Sequence, residues 1–561
     1  MDIVRRLVPE SARALVAAGV SPLLSRIYAA RGVVDVTELD CSLERLPHWS
    51  MLLGAKAAAV RLADGIARGE RMTIVADYDA DGATACAVGV RGLSAMGAMV
   101  DFLVPNRFEH GYGLTPEIVA LAAARAPGLI ITVDNGIASV DGVAAANARG
   151  IEVLITDHHL PGDTLPAPAW IVNPNQAGCT FPSKHLAGVG VMFYVLTALR
   201  AQLRERGHFA TRPEPNLGVL LDLVALGTVA DVVRLDHANR VLVDNGLRRI
   251  RAGRMQPGLR ALFAVAGKDP RHATTYDLGF VAGPRLNASG RMADISTGIA
   301  CLLADDEATA TRLAGELDRL NSERRAREAT MQEQALAAID TISAGDAFTL
   351  CAYRPDWHQG VVGLVASRLK DRFHRPAMVF APGIGEELRG SGRTIAGFHL
   401  RDALDLVAKR APGTITRFGG HAFAAGLTLP RAHLTRFTEE FERVGREWLT
   451  LEALHQTLDS DGELSADELT FELADTLSGG VWGQGFPAPV FDGAFTVAGQ
   501  RQVGAKHTRL LLIHDRQRLE AIAFNEPGPL PERLRVRYRP GISRFQGQCS
   551  LELLIESWQP A

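Results

Sequence analysis

The sequence predicts an α/β protein of several parts: a large parallel-sheet domain, a long connecting helix, a smaller α/β domain and a C-terminal β-barrel of OB type. Three observations carry that prediction. From Met72 onward, short apolar runs alternate with helix-like segments, the pattern of a parallel sheet covered on both faces. Residues 305–339 contain no Pro and are rich in Ala, Leu, Glu and Arg, the composition of one long helix. After Gln456 the helix signals fade into short alternating runs, such as 508–513 and 534–538, which read as small-barrel strands.

In chain order, residues 1–54 show helical periodicity without a chemical motif and are expected to cap the first domain. Residues 55–303 form the main α/β domain, 304–341 the connecting helix, 342–455 the second α/β domain and 456–561 the barrel. The helix suits a rigid spacer between two domains with a cleft between them, or equally a surface helix packed on one of them. At 561 residues, with 47% hydrophobic and 22% charged residues, the chain has a soluble globular composition and is too long for one core. No run of about twenty apolar residues marks a membrane span, and the start lacks an apolar signal core. Six scattered cysteines form no CxxC pair, which fits a reducing cytoplasm. A net charge of -3 does not by itself announce a nucleic-acid binder.

The chemistry concentrates at strand ends. The run Met72-Thr73-Ile74-Val75-Ala76 leads into Asp77-Tyr78-Asp79-Ala80-Asp81-Gly82. The run Leu129-Ile130-Ile131-Thr132-Val133 leads into Asp134-Asn135-Gly136, and the run ending at Thr156 leads into Asp157-His158-His159. Right-handed crossovers place these strand ends along one edge of a parallel sheet, so the seven groups can converge. One Asp at such a turn reads as a helix cap, whereas three at alternate positions read as a cation site, because a cation relieves their repulsion. Carboxylates with imidazole favour Mg²⁺ or Mn²⁺, and the imidazole tilts the choice towards Mn²⁺. In the second domain, Ser391 and Arg393 beside Gly419-Gly420-His421 make a plausible anion cradle. The tail carries ten basic residues, among them Arg501, Lys506, Arg509 and Arg544, and only four acids in the same window. Trp482, Phe486, Phe524, Tyr538 and Phe545 offer stacking faces or fill the barrel core.

The triplet Asp157-His158-His159 resembles the signature of the DHH phosphoesterase superfamily. The ordered set of Asp77-Tyr78-Asp79-Ala80-Asp81-Gly82, Val133-Asp134-Asn135-Gly136, the segment 223–232 and Gly283-Pro284-Arg285-Leu286-Asn287-Ala288-Ser289-Gly290-Arg291 is similar to the RecJ family of single-strand exonucleases. Trp357-His358-Gln359-Gly360-Val361-Val362-Gly363 and Gly419-Gly420-His421 resemble the associated DHHA1 domain. The resemblance implies a DHH-type catalytic domain, a DHHA1 domain and a C-terminal OB-fold. It implies a single-strand-specific 5′-to-3′ DNA exonuclease of repair and recombination, using two divalent ions. Asp79, Asp81, Asp134, His158 and Asp231 become the expected ligands. Asp77 completes their shell or orients them, and Asp157 ligates or bridges near both ions. His159 contacts phosphate or donates a proton. Arg107, Arg285 and Asn287 are expected on the substrate backbone, and Ser391 with Arg393 around a terminal 5′-phosphate. A monomer is expected, with single-stranded DNA as substrate and a single-strand-binding protein and a RecQ-type helicase as partners. The alternatives are a DHH phosphodiesterase of short oligonucleotides or cyclic dinucleotides, and a binding module with a dead catalytic core.

Overall fold

The computed structural model describes residues 2–104, 113–292, 294–339, 345–545 and 548–561. They divide into two compact units: Arg6–Ser322 with Ser460–Ala561, and Glu323–Asp459 with the N-terminal strand Asp2–Arg5. Arg107 and the boundary expected between 341 and 342 fall outside the described residues.

The larger unit is built on five parallel strands in the spatial order Met99–Leu103, Arg71–Ala76, Leu129–Val133, Glu152–Thr156 and Trp170–Val172. Successive residues of these apolar runs feed opposite faces. Ile74, Ile131 and Leu154 join the core that holds helices Ala80–Ala95 and Gly188–Glu205. Val75, Ile130, Val153 and Ile155 join a second core with helices Pro116–Ala123 and Val140–Asn147. A sheet wetted on neither face explains why its strands read as unbroken apolar runs. The chain goes from Arg71–Ala76 to one side and returns on the other, so the strand order reverses between Arg71–Ala76 and Leu129–Val133. Ligands bind at such a reversal in open α/β sheets.

The long helix is present as Glu307–Ile339, and Asp306 accepts a hydrogen bond from the Thr309 amide at 2.8 Å, which caps its start. The smaller unit contains a mixed five-stranded sheet in the order Arg417–Gly420, Ala424–Pro430, Glu387–Arg393, Ala377–Pro382, Leu350–Tyr353. Helix Val362–Phe373 packs on one face and helices Leu400–Arg410 and Leu434–Trp448 on the other.

The C-terminal strands close into a barrel. Phe491–Val503 pairs with both His507–His514 and Arg533–Phe545, and Gln517–Ala523 runs parallel to Gln548–Pro560. The aromatic residues mostly fill its core and its base. Tyr538 is fully buried, and Trp482 and Phe486 stack with centroids 5.4 Å apart, while Phe524 stays half exposed. The Phe545 side chain lies outside the described set. Much of the expected basic surplus is neutralised within the barrel: Arg509 pairs with Glu552, Arg535 with Asp492, and Arg537 and Arg539 with Glu556.

The N-terminal segment holds this barrel as well as the sheet domain. Tyr28, on helix Pro22–Ala29, stacks on Trp482. Arg31 has a fully buried side chain that donates to both oxygens of Asp461 at 2.8 Å, to the Pro487 carbonyl at 2.5 Å and to the Ile27 carbonyl at 2.7 Å. Replacing Arg31 by Ala leaves a buried carboxylate without its main counter-charge. It is expected to destabilise the larger unit by about 3–5 kcal/mol. Denaturant unfolding read alongside proteolysis near 460–490 checks it, and unchanged midpoint and cleavage would assign the clamp no energetic role.

Candidate metal centre

The acidic turn begins where strand Arg71–Ala76 stops. The Asp77 amide still donates to Val133 O at 3.3 Å, and the Asp77 carboxylate accepts from the Tyr78 amide at 2.8 Å. Asp79 caps helix Ala80–Ala95 by accepting from the Gly82 amide at 2.9 Å. Residue 82 must be Gly, since a Cβ there would lie 2.6 Å from the Asp77 carbonyl oxygen. Asp81 is buried and accepts from the amides of Gly188 and Val189 at 2.6 and 2.9 Å. These amides open helix Gly188–Glu205, whose positive end stabilises a carboxylate. Asp134 follows strand Leu129–Val133 at φ 62°, a left-handed conformation that Asp tolerates.

The strand-end residues then converge on His158. Its Nε2 lies 3.0 Å from Asp134 Oδ1, 3.5 Å from Asp231 Oδ2 and 3.9 Å from Asp81 Oδ2. Asp231 ends helix Leu221–Ala230, as the segment 223–232 anticipates. Among the described residues, ligand atoms of Asp77, Asp79 and Asp134 lie within 4.8 Å of one another, and so do those of Asp81, His158 and Asp231. A third such group joins Asp134, His158 and His159. Two adjacent cradles of oxygen and imidazole with no thiolate suit two hard divalent cations.

The electrostatics agree. Burial, followed by the charge of Asp79, pushes Asp77 and Asp81 up to about 7. Burial and then Asp81 push Asp231 up to about 9, and the same two causes hold Asp134 well above the carboxylate range. Burial, then the charge of His159, drives His158 down to about 4, leaving a neutral imidazole able to ligate.

Asp157 differs from its neighbours. It accepts from the amides of Ile137, His158 and His159 and from His159 Nδ1, at 2.7–3.1 Å. Burial works to raise its pKa, yet the hydrogen bond and charge of His159 outweigh it and hold Asp157 below the ordinary value. His159 answers in kind: burial opposes its charge, but Asp157 keeps its pKa above the usual one. This ion pair orients the DHH turn. It is braced by Asn173 and Asn175, which donate to the carbonyls of His159 and His158 at 2.9 and 2.6 Å.

Other expected residues are placed as follows. Arg285 lies beside the site, but its guanidinium pairs with Asp318 of the long helix at 2.7 Å and donates to Val281 O. Asn287 accepts from the Ala80 amide at 2.8 Å and so steadies the acidic turn. In the smaller unit, strand register sets Gly419, Gly426 and Ser391 in one row. Arg393 donates to Ser391 Oγ at 3.3 Å, and a Cβ on Gly363 would touch both residues at 3.4 Å. Gly420 turns the chain at φ 142°, and the His421 amide donates to Ala424 O. Gly188 and Val189 carry no local sequence signal for their task because they work through backbone amides, and Asn173 and Asn175 carry none because their side-chain amides meet the DHH turn only in the fold.

Two outcomes follow. A Cβ on Gly188 would lie 2.6 Å from Asp134 Cβ, so Gly188→Ala is expected to cost about 1–3 kcal/mol and to weaken Mn²⁺ binding, checked by unfolding and metal titration. Asp77, Asp81 and Asp231 have raised folded-state pKa values, so the chelator-treated protein binds more protons folded than unfolded. Their contribution to stability is complete below about pH 4 and is lost as pH rises through about 7 to 9. Divalent cations displace those protons, so the metal-induced rise in melting temperature is expected to grow from pH 5 to 9. A rise independent of pH would place metal binding elsewhere.

Residues 71–228 match the DHH family, N-terminal domain, residues 346–447 the DHHA1 domain and residues 460–557 the RecJ OB domain. The single-stranded-DNA-specific exonuclease RecJ of Dickeya dadantii is 49% identical over 96% of each chain. That of Escherichia coli is 47% identical over 99% of this chain and 98% of its own. The crystal structure of RecJ in complex with Mn²⁺ from Thermus thermophilus shares the fold with a TM-score of 0.79 at 29% identity, covering 100% of this chain and 79% of that one. With near-complete alignment, all three domains in order and the acidic cluster assembled at the sheet edge, the chain belongs to the RecJ family of single-stranded-DNA-specific exonucleases.

Proposed function

We propose that the chain is a metal-dependent, single-strand-specific 5′-to-3′ DNA exonuclease of DNA repair and recombination. The observation that carries this reading is the two adjacent cradles, Asp77–Asp79–Asp134 and Asp81–His158–Asp231, at the strand-order reversal. Asp79, Asp81, Asp134, His158 and Asp231, with Asp77 beside them, would hold two Mn²⁺ or Mg²⁺ ions. Ions bound there ease deprotonation of a water and neutralise the charge gathering on the phosphoryl oxygens.

The chain's own groups do the rest. Asp157 favours the protonated form of His159 and aims its ring, with its side chain 45% exposed, so that it can contact the scissile phosphate and return a proton to the departing oxygen. Asn287 and the Gly188–Val189 amides keep the acidic turn from shifting as charge develops. Ser391, Arg393 and the row of small residues Gly419 and Gly426 give a hydrogen-bonding surface without bulky side chains, suited to a dianionic 5′-phosphate, with Gly420 and His421 next in the chain. The barrel and the relatives' designation as single-stranded-DNA-specific exonucleases support a polymer substrate over a dinucleotide. The reading extends to a cytoplasmic monomer that meets a single-strand-binding protein and a RecQ-type helicase. No described helix is long and apolar enough to cross a membrane.

The deciding experiment supplies end-labelled single strand, duplex and dinucleotide with Mn²⁺ or Mg²⁺. Wild type is expected to degrade the single strand from its 5′ end, and Asp79→Ala or Asp134→Ala to lose about a hundredfold or more in kcat. Arg393→Ala is expected to lose about 1–3 kcal/mol of preference for 5′-phosphate over 5′-hydroxyl ends while keeping the cleavage chemistry. Degradation from the 3′ end, or an unchanged end preference, removes the polarity assignment.

A further inference from the structure

The Asp81–His158–Asp231 cradle draws its members from three elements: the start of helix Ala80–Ala95, the turn after strand Glu152–Thr156 and the end of helix Leu221–Ala230. Two of the three lean on one stretch of chain, residues 183–189. Its Gly188 and Val189 amides hold Asp81. Its Leu186 carbonyl accepts a hydrogen bond from the His158 ring. His158 turns Nε2 to the acids, so Nδ1 is left for Leu186, which favours the tautomer whose Nε2 can ligate. Asp231 has less local support. It ends its helix, where the macrodipole opposes an acid, and the next residue, Val232, has φ 60°. A β-branched residue in the left-handed region is strained and persists only where the surroundings hold the chain.

Asn239 holds both stretches. It lies in the first turn of helix His237–Arg251 and is fully buried. Its Nδ2 donates to the His185 carbonyl at 2.6 Å and to the Arg234 carbonyl at 2.8 Å. His185 precedes Leu186, and Arg234 follows Asp231 by three residues. One carboxamide thus places its two hydrogens on the two backbones that present the cradle. Both partners are carbonyls, so only the amino end can face them. Asn239 Oδ1 is buried and meets no donor among the described residues. A hydrophobic side chain of similar shape would leave no such oxygen, so the carboxamide contributes through its hydrogens. Asp236 completes the clamp. One of its oxygens accepts from the Asn239 amide at 3.1 Å and the other from Ser183 Oγ at 2.6 Å, and Ser183 Oγ accepts from the His185 amide at 3.3 Å. His185 is therefore held at both its N–H and its C=O from the start of one helix.

We infer that Asn239 is a positioning residue for the metal centre: its carboxamide ties the backbone that carries Leu186 and Gly188 to the backbone that leaves Asp231, and so sets the opening of the Asp81–His158–Asp231 cradle. The inference rests on the proposed two-ion reading of the site and deepens it. A divalent ion with short bonds tolerates errors of only about 0.2 Å in ligand position, so a clamp one step behind the ligands governs affinity. The other cradle has supports of its own: Asp77 and Asp134 each follow a strand locked in the sheet, and Asp79 accepts from the Gly82 amide. Asn239 therefore acts mainly on one ion of the two.

The test strips the full-length protein of metal and titrates it with Mn²⁺, following bound ion by calorimetry and free ion by its electron paramagnetic resonance. Wild type is expected to bind two ions. Asn239→Leu is expected to weaken one of them by about 10–100-fold and to leave the other near its wild-type affinity. Half-maximal cleavage should need correspondingly more Mn²⁺, with KM for the single strand unchanged. Asn245→Leu is the control. Asn245 lies on the same helix and also donates to two carbonyls, those of Cys41 and Val241, both at 2.8 Å, and neither leads to the metal centre. A merely structural role predicts like effects from the two variants, whereas a positioning role predicts the metal effect from Asn239 alone. Asn239→Ser, small and polar but too short to span both carbonyls, gives the same reading if the Leu variant does not fold. Equal loss of Mn²⁺ affinity in the Asn239 and Asn245 variants, or a lowered melting temperature with both ions held as in wild type, overturns the staple while leaving the two-ion reading intact. A wild type that binds fewer than two ions removes that reading and the staple with it.

Discussion

Like charges held together out of water are the constraint around which this molecule is built. Asp77, Asp81 and Asp134 are all buried, and Asp231 Oδ2 lies 3.5 Å from the His158 imidazole that Asp134 also approaches. Left alone, such a cluster opposes folding. The sheet supplies the force that holds it. Each carboxylate sits at the end of an element whose other residues are locked in apolar packing, so the acids cannot separate without moving strands. Local donors soften the strain unequally. Asp157 has four partners and Asp81 a helix terminus, whereas Asp134 and Asp231 bear burial and, after it, the repulsion of Asp81 and Asp79. That inequality sets Asp157, satisfied within its own turn, apart from the other acids of the cluster.

Much of this was legible in the sequence, for a physical reason. A parallel sheet covered on both faces must be written as unbroken apolar runs, and its useful ends must then be where the polar residues begin. Asp134 and Asp157 follow their strands at once. What was not legible depends on partners far along the chain. The ion pair of Arg285 with Asp318, on the long helix, is invisible in the sequence. So are the four donors gathered on Asp157. The row of Gly419, Gly426 and Ser391 exists only through strand register, which no local pattern states.

The tail shows the opposite error. A count of basic residues suggests a strongly positive barrel, but the fold pairs Arg509, Arg535, Arg537 and Arg539 with acids. Arg501, Lys506, Arg516 and Arg518 remain at the surface. Likewise Trp482 and Phe486, available to bases on paper, are sandwiched among Tyr28, Arg31 and Arg240. The barrel is therefore moored by its own aromatic residues.

That mooring joins residues made at very different times. Arg31 and Asp461 are 430 positions apart, so at elongation rates of about 5–20 residues per second the guanidinium waits roughly 20–90 s for its carboxylate. Through that interval Arg31 must stay hydrated, and the face that Tyr28 presents to Trp482 stays open. A nascent chain ending after the smaller unit carries a finished sheet domain and an unfinished seam. Synthesis therefore closes the molecule from its last hundred residues backward, and a stalled ribosome displays a surface that quality control can read as incomplete.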